Sequence, residues 1–305
     1  MSGQVLLFKG ATGLNTVVDP VRLPFDPETG VSDLAVAVNV VVDQSGRVSR
    51  RDGHAVVYGI GQAHSLFCDG GDCLFVAGDT LCRLLPDYSV AVVRSGMVVG
   101  QGVDYAQVNA DIYYTNGTQF GIVRAEGIHE DWIASPYVGP KSNHVFSGPI
   151  QGEHIAFFGG RIYLSQGAAI VYSEPFAWSW FDLSRNFVML DSRVRMMKPV
   201  ANGMFLSSDK ATYFLKGLNP DEQELLQVAP YPGYEWSAAI DLVDGMEAGM
   251  QEPGLCALWS SPVGACLGTP TGLLINLTRD KIHYPSFGSR GAGLLRGYEF
   301  IQTIA

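Results

Sequence analysis

The residues best suited to metal or nucleophilic chemistry in this 305-residue chain are six histidines (54, 64, 129, 144, 154 and 283) and five cysteines (68, 73, 82, 256 and 266). No histidine lies four residues from another, which removes the HExxH arrangement. There is no P-loop, no GxSxG elbow and no GxGxxG after a strand. Gly59-Ile60-Gly61 lacks the third glycine. His64 with Cys68, Cys73 and Cys82 is the one metal-like cluster, and its spacing does not match a zinc ribbon. Cys68 and Cys73 flank an Asp-Gly-Gly-Asp turn, which makes them neighbours across a hairpin. They read as small apolar fillers, with zinc and a hairpin disulfide as the lesser alternatives. The expectation is no catalytic residue, no metal and no cofactor.

Composition says what must carry these residues. Hydrophobic residues make up 47% and charged residues only 16%, against about a quarter in ordinary soluble proteins. The 36 glycines would each cost about 1 kcal/mol inside helices, which argues against a helical bundle. A β-rich protein with many tight turns remains. Net charge is −10, and the densest basic patch, Arg47, Arg50 and Arg51, is too small for a duplex-binding face. No run approaches the ~18 apolar residues of a membrane span, and MSGQVLLFKG has no basic leader segment. The odd, low cysteine count does not suit a secreted disulfide framework, so synthesis and folding in a reducing cytoplasm are expected.

Order along the chain adds a repeat. Leu74–Leu84, Ile112–Val123, Ile162–Ser173, Met204–Leu215 and Ala265–Leu277 each read as strand, turn and returning strand. An apolar strand precedes each one: HSLFC, VDYAQV, HIAFF, RMMKPV and LCALW. Units of this size with three or four strands are those of a β-propeller, whose sheets are covered on both faces. The chain is therefore predicted all-β, a β-propeller of five blades, with six as the second choice and a β-sandwich as the competing architecture. A hairpin from Val38–Asp43 and Arg47–Val57 would be a sixth blade or would close the ring against Tyr298–Ile304. Residues 1–35 read as an extended N-terminal arm, and 36–305 as one propeller domain with insertions at about 125–151 and 217–254. A short helix is one reading of Ser237–Met250.

In such a fold, catalytic carboxylates would sit on the innermost strands, and Asp104 and Glu153 are the best candidates. A glycosidase would need two carboxyls roughly 5–9 Å apart, which nothing in the spacing requires. Ser207-Ser208-Asp209-Lys210 does not complete the Ser-x-Asp-x-Gly-x-x-Trp turn of sialidase propellers, and no Asp-rich calcium loop occurs. The other signal is aromatic. Trp132, Tyr137, Phe146, Tyr231, Tyr234 and Trp236 lie in loops that look exposed and are candidate interface residues, with packing between blades as the alternative. Trp178 and Trp180 read more readily as seam packing.

The stretch GLNTVVDPVRLPFDPETGVSDLAVAVNVVVDQSGRVSRRDGH resembles the start of β-propeller structural proteins of tailed bacteriophages, through Asn39, Val40, Gly46, Val48, Arg50, Arg51 and Gly53. GGRIYLSQGAAIVYSEPFAWSWFDL, MFLSSDKATYFLKG and GACLGTPTGLLINLT continue the resemblance in order. It covers most of the chain through apolar and glycine patterns. What it implies is a non-catalytic virion component of the tail or head–tail junction, made in the host cytoplasm. Its partners would be other tail or connector proteins and copies of itself in a ring, with DNA only as passing cargo and no membrane insertion. The alternative is a tail-tip propeller that binds a host-surface glycan or receptor.

Overall fold

A computed structural model describes residues 9–43, 45–53, 55–59, 62–69, 72–134, 145–243, 253–278, 280–284, 290–296 and 299–304. Among them there is no α-helix, only three short 3-10 turns, so none is long and apolar enough to cross a membrane. The N-terminal strands are β1 (Gly10–Leu14), β2 (Phe25–Asp26), β3 (Val31–Leu34), β4 (Val40–Val42) and β5 (Val48–Arg50). They form a small sheet in the order β1-β3-β2 and a separate β4–β5 hairpin.

Five antiparallel sheets follow, four of them simple meanders and the third branched at its third strand. The first contains β6 (Ala63–Asp69), β7 (Asp72–Ala77), β8 (Thr80–Leu84) and β9 (Val90–Ser95). The second contains β10 (Asp104–Val108), β11 (Asp111–Thr115), β12 (Phe120–Val123) and β13 (His129–Glu130). The third has β14 (Ile155–Phe158), β15 (Arg161–Gln166) and β16 (Ala169–Glu174), with β17 (Ala177–Phe181) and β18 (Phe187–Met189) both pairing β16. The fourth is β19 (Val194–Val200), β20 (Gly203–Ser208), β21 (Thr212–Lys216) and β22 (Glu224–Ala229). The fifth is β23 (Ala239–Val243), β24 (Gly254–Ser261), β25 (Gly264–Gly268) and β26 (Leu274–Asn276). A last hairpin joins β27 (Gly291–Arg296) to β28 (Glu299–Ile304).

β20 is buried at every position and runs Gly-Met-Phe-Leu before two buried serines, because both faces of its sheet are covered. Leu74, Val76 and Leu81 of the first sheet meet Tyr105, Ile112 and Tyr114 of the second. Val108 and Tyr113 meet Ile155, Leu164 and Phe181, and Phe158, Tyr163 and Ile170 meet Met197, Met204 and Leu206. Phe205 and Phe214 then meet Trp259 and Cys266, and Cys256, Leu258 and Leu267 carry Phe300 of β28. Each sheet thus stacks on the next in chain order, and the first strands β6, β10, β14 and β19 touch in succession. The chain is an all-β propeller.

Four of the expected repeats coincide with the second and third strands of their sheets. The fifth is displaced by one strand: Leu255–Trp259 belongs to β24, the second strand, and β23 is the first. The stretches expected as insertions hold ladder strands, namely β13, β22 and β23, because short edge strands with alternating polar residues look like loops. Ala239–Val243 is a strand where a helix was one reading, and residues 244–250 lie outside the described residues. β28 pairs β27, and β4 pairs β5, so among the described residues the N-terminal hairpin does not pair with the C-terminal segment.

The arm is also more than extended chain. Asp33 accepts from Asn15 Nδ2 at 2.7 Å and from Lys281 Nζ at 2.8 Å, and Thr12 also donates to it. The Lys281 carbonyl takes the Thr16 N–H at 2.7 Å, so the arm is clipped to the segment after the fifth sheet. Burial pushes the Asp33 carboxyl up, but these donors outweigh it and hold it at about 2.

Candidate functional site

The first strands of successive sheets carry their charged residues toward one end of the axis. Asp104 opens β10, Glu153 and His154 immediately precede β14, Arg193 precedes β19, and Glu235 and Trp236 precede β23. Apolar strands begin just after these residues, so the backbone is held by the seams and the polar side chains meet at the axis.

There they form one network. Lys198 Nζ reaches Asp104 Oδ1 at 3.0 Å, from the fourth sheet to the second. His154 Nδ1 lies 3.4 Å from Asp104 Oδ2, and its Nε2 lies 3.6 Å from Glu235 Oε1. Arg193 donates to Glu153 Oε2 through Nε and to Glu235 Oε1 through Nη2, both at 2.7 Å. Arg290, next to β27, approaches Glu235 Oε2 at 3.4 Å. Two of these pairs, Lys198–Asp104 and His154–Glu235, bridge sheets that are not neighbours in the stack. The Trp236 indole lies tilted by 40° against the His154 ring, with centroids 4.7 Å apart, and Trp236 has a φ of 67°. It also lies against Gly102: a Cβ there would fall 2.5 Å from Trp236 Cε2, so only glycine leaves room for the ring.

Burial makes the electrostatics consequential. Asp104 is 7% exposed, and His154 and Glu235 are each 2% exposed. Burial alone would raise the Asp104 carboxyl, but Lys198 and His154 hold it down to about 2. Glu235 is likewise pushed up by burial and pulled below its ordinary value by His154, Arg193 and Arg290. Burial opposes the charged form of His154, yet Asp104 and Glu235 raise its pKa above the usual 6.5. The shifts favour mutual ionisation, whereas a general acid needs a carboxyl raised toward neutrality.

Asp104 and Glu153, the two acids singled out from the sequence, do come together here. Glu235, His154, Arg193, Lys198 and Arg290 were not anticipated. The usable signal was an acidic or basic residue directly ahead of an apolar first strand, as in Glu153-His154 before IAFF. The interface aromatics fall differently. Trp132 is buried, edge-on to Tyr113 at 4.9 Å, and donates Nε1–H to Ser179 Oγ at 3.0 Å, so it packs the second seam and faces no partner. Tyr234 is buried as well. Half-buried Tyr231 joins the fourth–fifth seam, and Phe146 meets Trp180 edge-on at 6.2 Å. Tyr137 lies outside the described residues. Proline-rich flanks looked like exposed loops, while the rings turn inward to close the gaps between sheets.

The cysteine expectation is corrected. Cys68 and Cys73, paired across β6 and β7, are joined as a disulfide, because directly opposed strand positions bring their side chains together. Cys82, Cys256 and Cys266 are buried thiols outside that bond. Among the described residues no group of His, Cys, Asp and Glu could hold a metal ion.

No protein-family model matches the chain, and no curated protein matches it. Among solved structures it is similar to a gluconolactonase from Xanthomonas campestris, with TM-score 0.48 and 11% identity over 77% of this chain and 81% of that one. Virginiamycin B lyase from Staphylococcus aureus gives TM-score 0.43 and 10% identity over 75% and 72%. PorZ, a surface component of the type-IX secretion system of Porphyromonas gingivalis, gives 0.45 and 12% over 87% of this chain and 36% of that one. At such identities and TM-scores they carry nothing about function. A propeller fold by itself decides neither for nor against catalysis.

Proposed function

We propose that this chain is a non-catalytic structural propeller of a bacteriophage virion, part of the tail or head–tail junction, where it docks other tail or connector proteins. The observation that supports the non-catalytic half is the state of the axial acids: each of Asp104, Glu153 and Glu235 is bound by a cation, and Asp104 and Glu235 are driven toward ionisation. A network of this kind stiffens a scaffold and leaves no acid poised to donate a proton. The virion half rests on the resemblance carried by Asn39, Val40, Gly46, Val48, Arg50, Arg51 and Gly53. Trp236 and the ion pairs fill one end of the propeller's own axis, so on this reading DNA runs beside the propeller rather than through it. Trp236 also has its ring committed to His154 and Gly102, which does not favour a glycan-stacking groove there.

The test is the composition of the particle. Mass spectrometry of purified virions should find the chain in stoichiometric amount, and electron microscopy should place it in the tail or at the junction. Absence from virions refutes the reading. Hydrolytic activity in the purified chain that Asp104→Asn or Glu153→Gln abolishes would refute the non-catalytic half.

A further inference from the structure

A cavity of about 260 Å³ lies where the third and fourth sheets meet, and none of its lining residues belongs to the axial network. The third sheet branches here, because β17 and β18 both pair β16. The turn joining β17 to β18 supplies Asp182, Arg185 and Asn186 to the lining. Asp182 closes that turn on itself, accepting from the Ser184 N–H at 3.1 Å and Ser184 Oγ at 2.6 Å. Asn186 Nδ2 donates to Glu174 Oε1 at 3.0 Å and ties the turn to the end of β16. Pro220 and Asp221 come from the fourth sheet, in the 3-10 turn Pro220–Glu222 between β21 and β22. Gln223 Nε2 fixes the end of this turn, donating to Tyr163 Oη at 3.3 Å and to the Gly217 carbonyl at 3.1 Å.

Every lining residue except Pro220 is polar or charged. Arg161 is held from two sides: Nη1 donates to the Ser173 carbonyl at 2.7 Å, and the guanidinium sits 5.5 Å over the Tyr172 ring. It forms no ion pair among the described residues, which leaves Nε and Nη2, a side-on fork that matches a carboxylate. Asp221 is exposed on its turn and also forms no ion pair among the described residues. Two unlike charges thus line one cavity without reaching each other. Tyr172 is 8% exposed, and its hydroxyl makes no hydrogen bond among the described residues. Burial pushes that phenol up, Arg161 pulls it down, and Asp221 and Glu174 push it up, so all three charges are close enough to act on it.

We propose that this cavity binds a small zwitterion, a free amino acid, whose carboxylate pairs with the Arg161 fork and whose ammonium pairs with Asp221 beside the Tyr172 hydroxyl. The mixture of charge selects the class. Glu174, Asp182 and Asp221 oppose a ligand that is only an anion, and Arg161 and Arg185 oppose one that is only a cation. A sugar would need a ring face to stack on, but Arg161 lies over Tyr172, and Tyr163 packs against the same ring at 5.3 Å. Size agrees, since about 260 Å³ falls just below the roughly 300–1,000 Å³ of drug-sized ligand pockets. Ser173 and Tyr172 already fix Arg161, and Gln223 fixes the turn that carries Asp221, so binding has little of the protein left to order.

Calorimetric titration of the purified full chain tests this, with the standard amino acids, β-alanine and γ-aminobutyrate as probes. At least one should bind with a Kd of about 1 mM or tighter. For each binder, the matching acid without its amine and the matching amine without its carboxylate should bind at least about tenfold more weakly. Arg161→Met and Asp221→Asn should each weaken binding by a similar factor. Asp221 is exposed and forms no ion pair among the described residues, so the melting curve of Asp221→Asn should match the unmodified chain and its effect on binding reads the site alone. Three results overturn the inference: no probe bound at about 10 mM, a one-charge analogue bound as tightly as its parent, or binding indifferent to Asp221→Asn. None of them touches the virion reading, which depends on the chain's presence in the particle.

Discussion

Replacing Asp104 by asparagine removes the charge at the centre of the axial network and keeps the side chain's size. In the folded chain Lys198 and His154 overcome the effect of burial and hold the carboxyl at about 2, against an ordinary 3.8. That gap corresponds to roughly 2.5 kcal/mol at neutral pH, taking about 1.36 kcal/mol per pH unit. The change also leaves Lys198 and the buried His154 short of one anion, so the expected loss is about 3 kcal/mol, the low end for a broken buried pair. At roughly 2–4 °C per kcal/mol, the melting midpoint should fall by about 6–12 °C. The pH dependence has a definite sign. Asp104 is depressed, so its contribution is full above 3.8 and is lost as pH falls toward about 2. His154 is raised, so its contribution is full below 6.5 and is lost as pH rises through its folded value. Melting curves across pH should therefore show Asp104→Asn with a flatter acid limb and an alkaline step at lower pH than the unmodified chain. Adding Lys198→Met should recover part of the loss by removing the orphaned ammonium. A midpoint within about 1 °C of the unmodified chain, or an unchanged acid limb, would refute the account of the network.

Gly102→Ala places a methyl 2.5 Å from Trp236 Cε2 and should cost about 1–3 kcal/mol, read as a lower midpoint with altered tryptophan fluorescence. An unaltered melt would mean the indole is free to move aside. Lys281→Ala cuts the clip on Asp33, so limited proteolysis should cleave the arm several-fold faster while the propeller strands keep their protection. Equal cleavage rates would show that the arm is held by its other contacts. Denatured, unreduced protein should titrate three thiols, Cys82, Cys256 and Cys266, and five after reduction. Five before reduction would count against the Cys68–Cys73 bond.

The repeat was legible because a strand and its turn are written in adjacent residues. The fifth unit slipped by one strand for a local reason as well: GLCALWSS is long and apolar, whereas the first strand AIDLV is short and carries Asp241. Trp132 and Tyr234 were misplaced because a proline-rich flank records a bend in the chain but not the direction of the ring. Asp104 and Glu153 were identifiable from their position ahead of apolar strands, yet their partners were not. Lys198 meets Asp104 across 94 residues of sequence, and no spacing rule relates the two.

The sequence by itself determined the β class, the succession of short strands and the burial of both sheet faces, since hydrophobic periodicity and turn residues act between near neighbours. Only the tertiary structure decided that the inner charges neutralise one another and that Trp236 packs against His154 and Gly102 of other sheets. Such outcomes depend on separations of a few ångströms between sheets, which the angle of each sheet to the next sets and no local pattern encodes.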